Sequence, residues 1–196
     1  MTLRYYFDLV CPYSYILGFE VERAEDDGLV EIEWLPFELR PAPAKLPRPR
    51  GTYIRAHWRD HVYGIAAAHE VEIHVPQYQP RSTLALALHS FAEEEGYGRA
   101  YRDAAHRAFF IEGLDLGDEG VLRKVAQEAR LDADSAIAAA WDLDRISGLR
   151  ATREEAASIG VHGVPTIATE ERILYYGAAA PGKIRTLLAD SMSRHS

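Results

Sequence analysis

The 196-residue sequence contains a single cysteine, Cys11, so no disulfide can form within the chain. This scarcity excludes the disulfide-stapled scaffolds of small secreted proteins. Long apolar runs are also missing, since none approaches the roughly 20 residues that cross a bilayer. The first residues, MTLRYYFDLV, lack the basic and apolar regions of a secretory leader. We therefore expect a cytoplasmic protein with no membrane partner.

An excess of positive charge is missing as well. The chain has 22 Lys and Arg against 30 Asp and Glu, which gives a formal net charge of −8 at pH 7. An acidic chain lacks the basic surface that general nucleic-acid binding needs, so we expect no nucleic-acid partner. Hydrophobic residues make up 47% and charged residues 27%, which is typical of a soluble globular protein with a full core.

The pattern of apolar residues predicts an opening strand, helix and second strand. Residues 3–10 form a run rich in aromatic and branched side chains, which is typical of a strand buried on both faces. A helical pattern begins at Pro12 and stops at Gly28. Residues 29–39 alternate between apolar and acidic side chains, which predicts a strand joined to the first by a right-handed crossover.

The rest of the chain divides into a helical block and a mixed end. A basic, proline-rich connection begins at residue 40, and residues 52–149 then show helical patterns with few strand signals. A helix stopped by Gly160, two short strands around a charged turn and a helix from about Pro181 follow. We therefore predict an α/β fold with one domain formed by residues 1–40 and 150–196. Residues 41–149 would form an all-helical insertion domain.

Cys11 falls between the first strand and the first helix, where it would occupy the helix N-cap. Pro12 suits the first helical position because its missing N–H would have no partner there. The N–H groups of Tyr13 and Ser14 would then face the sulfur and lower its pKa from about 8.5 to roughly 3.5–7.5. The alternative is an inert buried cysteine. The setting favours a reactive thiolate.

The segments FDLVCPYSY, WLPFELRP and ASIGVHGVPT, with the helical block between them, resemble the DsbA-like thioredoxin-fold family. The likeness covers about residues 3–188 and is nearest to the cytoplasmic, FrnE-like branch. It implies a thioredoxin-like domain interrupted by the helical insertion. It also implies that Cys11 is the catalytic residue that attacks disulfides. Pro165 matches the family's cis-proline and Val164 the residue before it, a loop that binds the substrate backbone.

Ser14 stands where this family has its second, resolving cysteine. A hydroxyl cannot release a mixed disulfide, but it can donate a hydrogen bond to the thiolate, so Ser14 is a second catalytic candidate. The resemblance then implies a thiol–disulfide oxidoreductase or isomerase with one nucleophilic thiol. An external thiol such as glutathione would be the cosubstrate, with no tightly bound cofactor. The partner would be a protein or small-molecule disulfide or thiol.

Two other functions fit the same segments. The sequence around Tyr13 and Ser14 is also similar to kappa-class glutathione transferases and 2-hydroxychromene-2-carboxylate isomerases, which activate glutathione with a serine at the position of Cys11. Those enzymes carry an Asp-Arg pair after the glycine that follows the last strand, whereas Gly177 here is followed by three alanines. The second alternative is a redox-inactive binding protein on the same fold.

Four further residues are candidates for substrate binding. Pro12 and Tyr13 belong to the motif, and the Tyr13 ring would shape a groove beside the sulfur. Ser82 would either face the active site or cap a helix. His162, three residues before Pro165, would either pair with the thiolate or lie in an exposed loop.

The remaining polar patterns predict no metal site. His57 and His61 have the spacing that places two imidazoles on one helix face, but no third ligand follows in a recognisable pattern. The basic connection after residue 40 would either attract the carboxylates of glutathione or an acidic peptide, or be a solvated linker. A groove between the two domains would also suit a homodimer.

Overall fold

The computed structural model describes residues 2–49 and 51–193, and within this part four strands form one mixed sheet in the order β2-β1-β3-β4. The strands are β1 (Thr2–Phe7), β2 (Glu31–Pro36), β3 (Thr166–Ala168) and β4 (Ile173–Tyr176). β1 and β2 pair in parallel, whereas β3 is antiparallel to both β1 and β4. Strands from the two ends of the chain therefore share one sheet, and the predicted α/β class is confirmed.

β1 is buried on both faces, as its continuous apolar run predicts. Successive side chains of a strand point to opposite faces. Tyr5 and Phe7 accordingly pack in the main core, whereas Tyr6 between them packs in a smaller cluster on the other face. Cys11 belongs to this smaller cluster, so the nucleophile candidate lies on the side of the sheet away from the main core.

The helix α1 (Pro12–Asp26) connects β1 to β2. It begins with Pro12 in its first turn, as predicted, and ends beside Gly28, which has a φ of +67°. Glycine reaches this left-handed conformation without the steric cost that a Cβ imposes. The chain therefore reverses sharply into β2, and Cys11 is held at the opposite end of α1.

Helices occupy the chain between β2 and β3. They are α2 (Thr52–His57), α3 (Tyr63–Ala68), α4 (Thr83–Glu94), α5 (Gly98–His106), α6 (Glu119–Glu128), α7 (Ala133–Ala140) and α8 (Leu143–Ser158), and α9 (Lys183–Ser193) follows β4. The segments Trp58–Val62 and Arg107–Ile111 are π-helical and continue α2 and α5. Asp132 caps α7, because its side chain accepts a hydrogen bond from the Ser135 N–H at 2.9 Å.

One of the two predicted domain boundaries falls between secondary-structure elements, and the other falls inside a helix. The boundary at residues 40/41 lies in the irregular connection after β2. The boundary at residues 149/150 lies inside α8, which runs without a break from the helical block back towards the sheet. The division into two domains stays a prediction.

Candidate active site around Cys11

Cys11 lies at the N-cap position of α1, immediately after β1. Its backbone is extended, with φ −91° and ψ 116°. The Cys11 N–H donates to the Asp8 carbonyl at 3.0 Å, and the Cys11 carbonyl accepts from the Tyr15 N–H at 3.1 Å. These bonds fix the turn between strand and helix, and they confirm the predicted placement of Cys11 at a helix N-terminus.

The loop before β3 lies against the sulfur. Cys11 Sγ and the Val164 carbonyl oxygen are 3.8 Å apart, although 153 residues separate them in sequence. The Val164–Pro165 peptide bond is cis. The Pro165 carbonyl accepts from the Gly177 N–H at 3.0 Å, which ties this loop to the end of β4. The structure therefore brings Cys11, Val164 and Pro165 together from the two ends of the chain.

Ser14 is buried one turn into α1, with 1% of its surface exposed. Its side chain lies close enough to hydrogen-bond the Cys11 thiolate, and this contact lowers the pKa of Cys11. The Ser14 Oγ also accepts a long hydrogen bond from the Asp8 N–H at 3.4 Å. The hydroxyl can therefore stabilise negative charge on the sulfur but offers no second sulfur.

Burial determines the pKa of Cys11, whose side chain is only 4% exposed. Loss of water around the sulfur raises the pKa of the thiol above its ordinary value. The Ser14 side chain and the N–H groups of Ser14 and Tyr13 oppose this increase, but neither N–H makes a full capping hydrogen bond. The expectation of a Cys11 pKa below its ordinary value is therefore wrong, because desolvation outweighs the opposing effect of the helix N-terminus.

Asp8 is a buried acid beside the motif that the sequence reasoning missed. Its carboxylate accepts from the Leu39 N–H at 2.8 Å and from the Val10 N–H at 3.2 Å. Burial nevertheless raises the pKa of Asp8 to about 6. An acid at the end of an apolar strand, three residues before the cysteine, was the available signal. Asp8 links the Cys11 turn to the connection after β2.

Ser82 occupies the N-cap position of α4, in agreement with the prediction that it lies at a helix start. Its side chain, however, makes no capping hydrogen bond. The hydroxyl instead lies close enough to the Asp8 carboxyl to oppose the increase in its pKa. Ser82 is 2% exposed, so its contact with the motif is through Asp8 in the interior. Its role in substrate binding stays a prediction.

Pro12 and Tyr13 lie at the rim, and both are half-buried. The Tyr13 ring packs against the buried cluster that contains Cys11. Its hydroxyl lies 3.0 Å from Nε2 of His57, at the end of α2. Tyr13 therefore connects the motif to the helical block.

His162 is exposed in the loop after α8. No hydrogen bond or ion pair within the described ranges joins it to Cys11. Although His162 is close to Pro165 in sequence, its ring therefore forms no such contact with the Cys11 thiol. Its role in substrate binding is untested and stays a prediction.

Within residues 2–49 and 51–193, no group of three or more His, Cys, Asp or Glu residues is arranged to hold a metal ion. The rings of His57 and His61 lie 5.2 Å apart, as their spacing predicts. Among the described helices, none has the length and apolar character needed to cross a bilayer.

The sheet order, the helical block and the cysteine facing a proline loop together define a thioredoxin-like α/β protein. Residues 2–189 match the family model of the DSBA-like thioredoxin domain. The chain therefore belongs to the DsbA-like thioredoxin family, as the resemblance predicts. The FrnE-like branch within that family stays a prediction.

Three solved structures show what this chain is similar to. A probable DsbA oxidoreductase, SCO1869 from Streptomyces coelicolor, has a TM-score of 0.78 and 26% identity over 99% of this chain and 89% of that one. A 2-hydroxychromene-2-carboxylate isomerase has a TM-score of 0.80 and 18% identity over 100% and 96%. The cytosolic disulfide reductase DsbM from Pseudomonas aeruginosa, solved with GSH, has a TM-score of 0.77 and 20% identity over 100% and 99%. They confirm the fold.

Proposed function

We propose that this protein is a thiol–disulfide oxidoreductase or isomerase in which Cys11 is the single nucleophile. The observation that carries the proposal is the position of Cys11 Sγ opposite the Val164 carbonyl, with Ser14 where the family has a second thiol. Membership of the DsbA-like family and the 26% identity to a probable DsbA oxidoreductase support chemistry of this class.

The reaction consists of two exchanges. The Cys11 thiolate attacks one sulfur of a substrate disulfide, a Cys11–sulfur bond forms, and the other sulfur leaves as a thiolate that takes a proton. A second thiol, for which we propose glutathione, then attacks the mixed disulfide and releases Cys11. The sum is one disulfide and one thiol converted into another disulfide and another thiol. The protein therefore needs no tightly bound cofactor.

The substrate must first uncover the sulfur. A thiol that is 4% exposed is out of reach of a bulky disulfide. A substrate backbone lying along Val164 and Pro165 would donate an N–H to the Val164 carbonyl, in place of the Cys11 thiol. The thiolate released in this way is a strong nucleophile, because nucleophilicity increases with thiol pKa. This is the role we propose for the proline loop.

Substitution of Ser14 tests the proposal. With glutathione disulfide, the wild-type protein should accumulate a glutathione adduct on Cys11, observed as an increase in intact mass. In Ser14→Cys, the introduced thiol should attack this adduct and release glutathione, so that the adduct no longer accumulates. Ser14→Ala is the matched control and should keep the adduct. A Cys11 that stays unmodified after prolonged exposure would contradict the proposal.

The fold likeness to 2-hydroxychromene-2-carboxylate isomerase and the order Pro12, Tyr13, Ser14 favour a second candidate, a glutathione-dependent isomerase or transferase. In that case the motif would activate bound glutathione, and Cys11→Ser would retain turnover. If neither turnover nor adduct is found, a redox-inactive binding protein remains. The cytoplasmic location and the homodimer stay predictions.

A further inference from the structure

Two buried side chains, a carboxylic acid and an imidazole, meet where α1, α3 and the segment before α9 come together. Glu20 lies on α1, and His69 directly follows α3. Their side chains are 9% and 4% exposed, and His69 Nδ1 lies 3.2 Å from Glu20 Oε1. Neither residue takes part in the chemistry proposed for Cys11. We call this pair the Glu20–His69 clamp.

Both side chains of the clamp also hold the backbone between β4 and α9. His69 Nε2 lies 2.8 Å from the Ala179 carbonyl oxygen. Glu20 Oε1 accepts a hydrogen bond from the Gly182 N–H at 2.8 Å. α9 follows at once and packs on α1, with Ile184 fully buried in the main core. The clamp therefore joins α1, the helical block and the segment that leads into α9.

The acceptors around His69 require more protons than a neutral imidazole has. A carbonyl oxygen only accepts, so the Nε2 atom beside Ala179 carries a proton. A neutral imidazole with that proton has a lone pair at Nδ1, and this lone pair would face Glu20 Oε1, which is also an acceptor. Two acceptors 3.2 Å apart in the interior repel each other. The contact is favourable only when one more proton lies between them.

The imidazole is the better place for that proton. Histidine is ordinarily more basic than glutamate by about two pKa units. The hydrogen bond from the Gly182 N–H to Glu20 Oε1 favours the ionised carboxylate over the acid. The other oxygen, Oε2, is buried without a hydrogen-bond partner among the described residues, so the carboxylate depends on a neighbouring positive charge. This arrangement indicates an imidazolium–carboxylate pair.

We propose that one proton, held by the Glu20–His69 clamp, fastens the start of α9 to α1 and to the helical block, and that its loss at alkaline pH releases this segment. In the released state the two groups have ordinary pKa values of about 4.3 and 6.5, so above neutral pH they are a carboxylate and a neutral imidazole. The clamped state therefore binds one proton more. By linkage, its stability is highest at pH 6 and falls as pH rises towards 9. The inference is independent of the reaction at Cys11.

Other charged or titratable groups near the clamp do not account for such a release. Tyr175 of β4 is close enough to Glu20 for that charge to raise the Tyr175 pKa, after the larger effect of burial, so the phenol keeps its proton up to pH 9. Lys183 of α9 lies over the Tyr175 ring, 5.3 Å from its centroid. Arg23 of α1 and Glu70 after α3 are exposed, and no ion pair joins either to the clamp within the described ranges. Exposed lysine, arginine and glutamate side chains do not titrate between pH 6 and pH 9.

Glu20→Gln separates the proton from the contacts. The new amide oxygen can accept from the Gly182 N–H and the amide nitrogen can donate to His69 Nδ1, so this variant should keep the clamp without the additional proton. The measurement is the hydrogen-exchange protection of the Gly182 and Thr186 amides, which donate to Glu20 and to the Gly182 carbonyl. From pH 6 to pH 9, wild-type protection should fall about tenfold relative to Glu20→Gln, within the tenfold per pH unit that one linked proton allows.

Two histidine variants complete the experiment. His69→Gln should lower the protection of both amides at pH 6 and should not show the further fall towards pH 9. His74→Gln is the matched control, because it removes the histidine of an exposed pair in which His74 lies 3.2 Å from Glu72, and it should behave as the wild type. Wild-type protection that runs parallel to that of Glu20→Gln across the range would overturn the proposal.

The protonation state of His69 is a second readout, and it is measured in the wild-type protein. The ring ¹⁵N resonances, assigned by their loss in His69→Gln, should show a proton on both nitrogens at pH 7.5, where an ordinary histidine is mostly neutral. A ring that is protonated only at Nε2 at this pH would overturn the clamp, whatever the exchange rates show.

Discussion

Two opposing effects act on the sulfur of Cys11. A helix N-terminus and a neighbouring hydroxyl favour the thiolate, and the strand–Cys-Pro pattern predicts both. Burial favours the thiol. The residues that bury Cys11 are distant from it in sequence, since Val164, Ala156 and Phe37 share its cluster. The pKa of Cys11 is raised because the second effect is the larger.

The alkylation rate of Cys11 should follow this raised pKa. With iodoacetamide, we expect the rate to keep rising with pH beyond the value at which an unstructured cysteine peptide levels off. Ser14→Ala should move the profile to still higher pH, because it removes a hydrogen bond that lowers the pKa of Cys11. Intact-mass kinetics across a pH series give both profiles. A rate that levels off below the peptide's pKa would contradict the burial argument.

Asp8 makes the stability depend on pH through a single side chain. Its pKa is raised from 3.8 to about 6, so the folded state holds the proton more tightly than the unfolded state. The corresponding stability is present below the unfolded pKa and is lost as pH rises through about 6. At pH 7 the loss amounts to about 3 kcal/mol, from a shift of roughly two pKa units.

Asp8→Asn should remove this dependence. The difference in unfolding free energy between variant and wild type should change by about 2 kcal/mol between pH 4 and pH 7, in favour of the variant at pH 7. Urea unfolding at a series of pH values measures it. Glu171→Gln, which changes an exposed carboxyl in the turn between β3 and β4, should show no comparable change. Parallel curves for Asp8→Asn and wild type would contradict the assignment.

At the scale of helices and strands, the sequence predicts the helix ends that are set by residues close to them. Pro12 marks the start of α1 because its ring fits the first turn, and Gly28 marks its end because of its positive φ. Asp132 caps α7 with its side chain. Each of these signals acts within a few residues of the boundary that it sets, so one sequence is enough to find it.

Local signals of this kind do not predict contacts between elements that are distant in sequence. Nothing local indicates that β3 pairs antiparallel with β1, or that α8 runs through residue 149 as one helix. The position of Val164 opposite Cys11 came from the family resemblance and not from the pattern of residues. The Asp8–Ser82 contact was missed for the same reason, because 74 positions separate a strand end from a helix start.

At the scale of the whole molecule, one buried arginine connects the sheet to the helical block. The Arg102 guanidinium on α5 lies over the Trp34 ring of β2, 3.7 Å from its centroid. It contacts Glu22 of α1 at 3.4 Å and Glu93 of α4. Burial raises the pKa of Glu22, although the charge of Arg102 opposes the increase. Arg102 therefore neutralises a buried acid and links four elements.

Arg102→Met should destabilise the whole fold and not one helix. It removes the buried cation beside Glu22 and leaves only the half-exposed Arg99, 3.7 Å away, and breaking a buried pair in this way costs about 3–5 kcal/mol. Urea unfolding should show one cooperative transition at lower urea, with Glu22→Gln in the same chain restoring part of the loss. Arg185→Gln, which removes a half-exposed arginine paired with the half-exposed Asp27, should cost no more than about 1 kcal/mol. An Arg102→Met loss as small as that of Arg185→Gln would mean that apolar packing alone joins the helical block to the sheet.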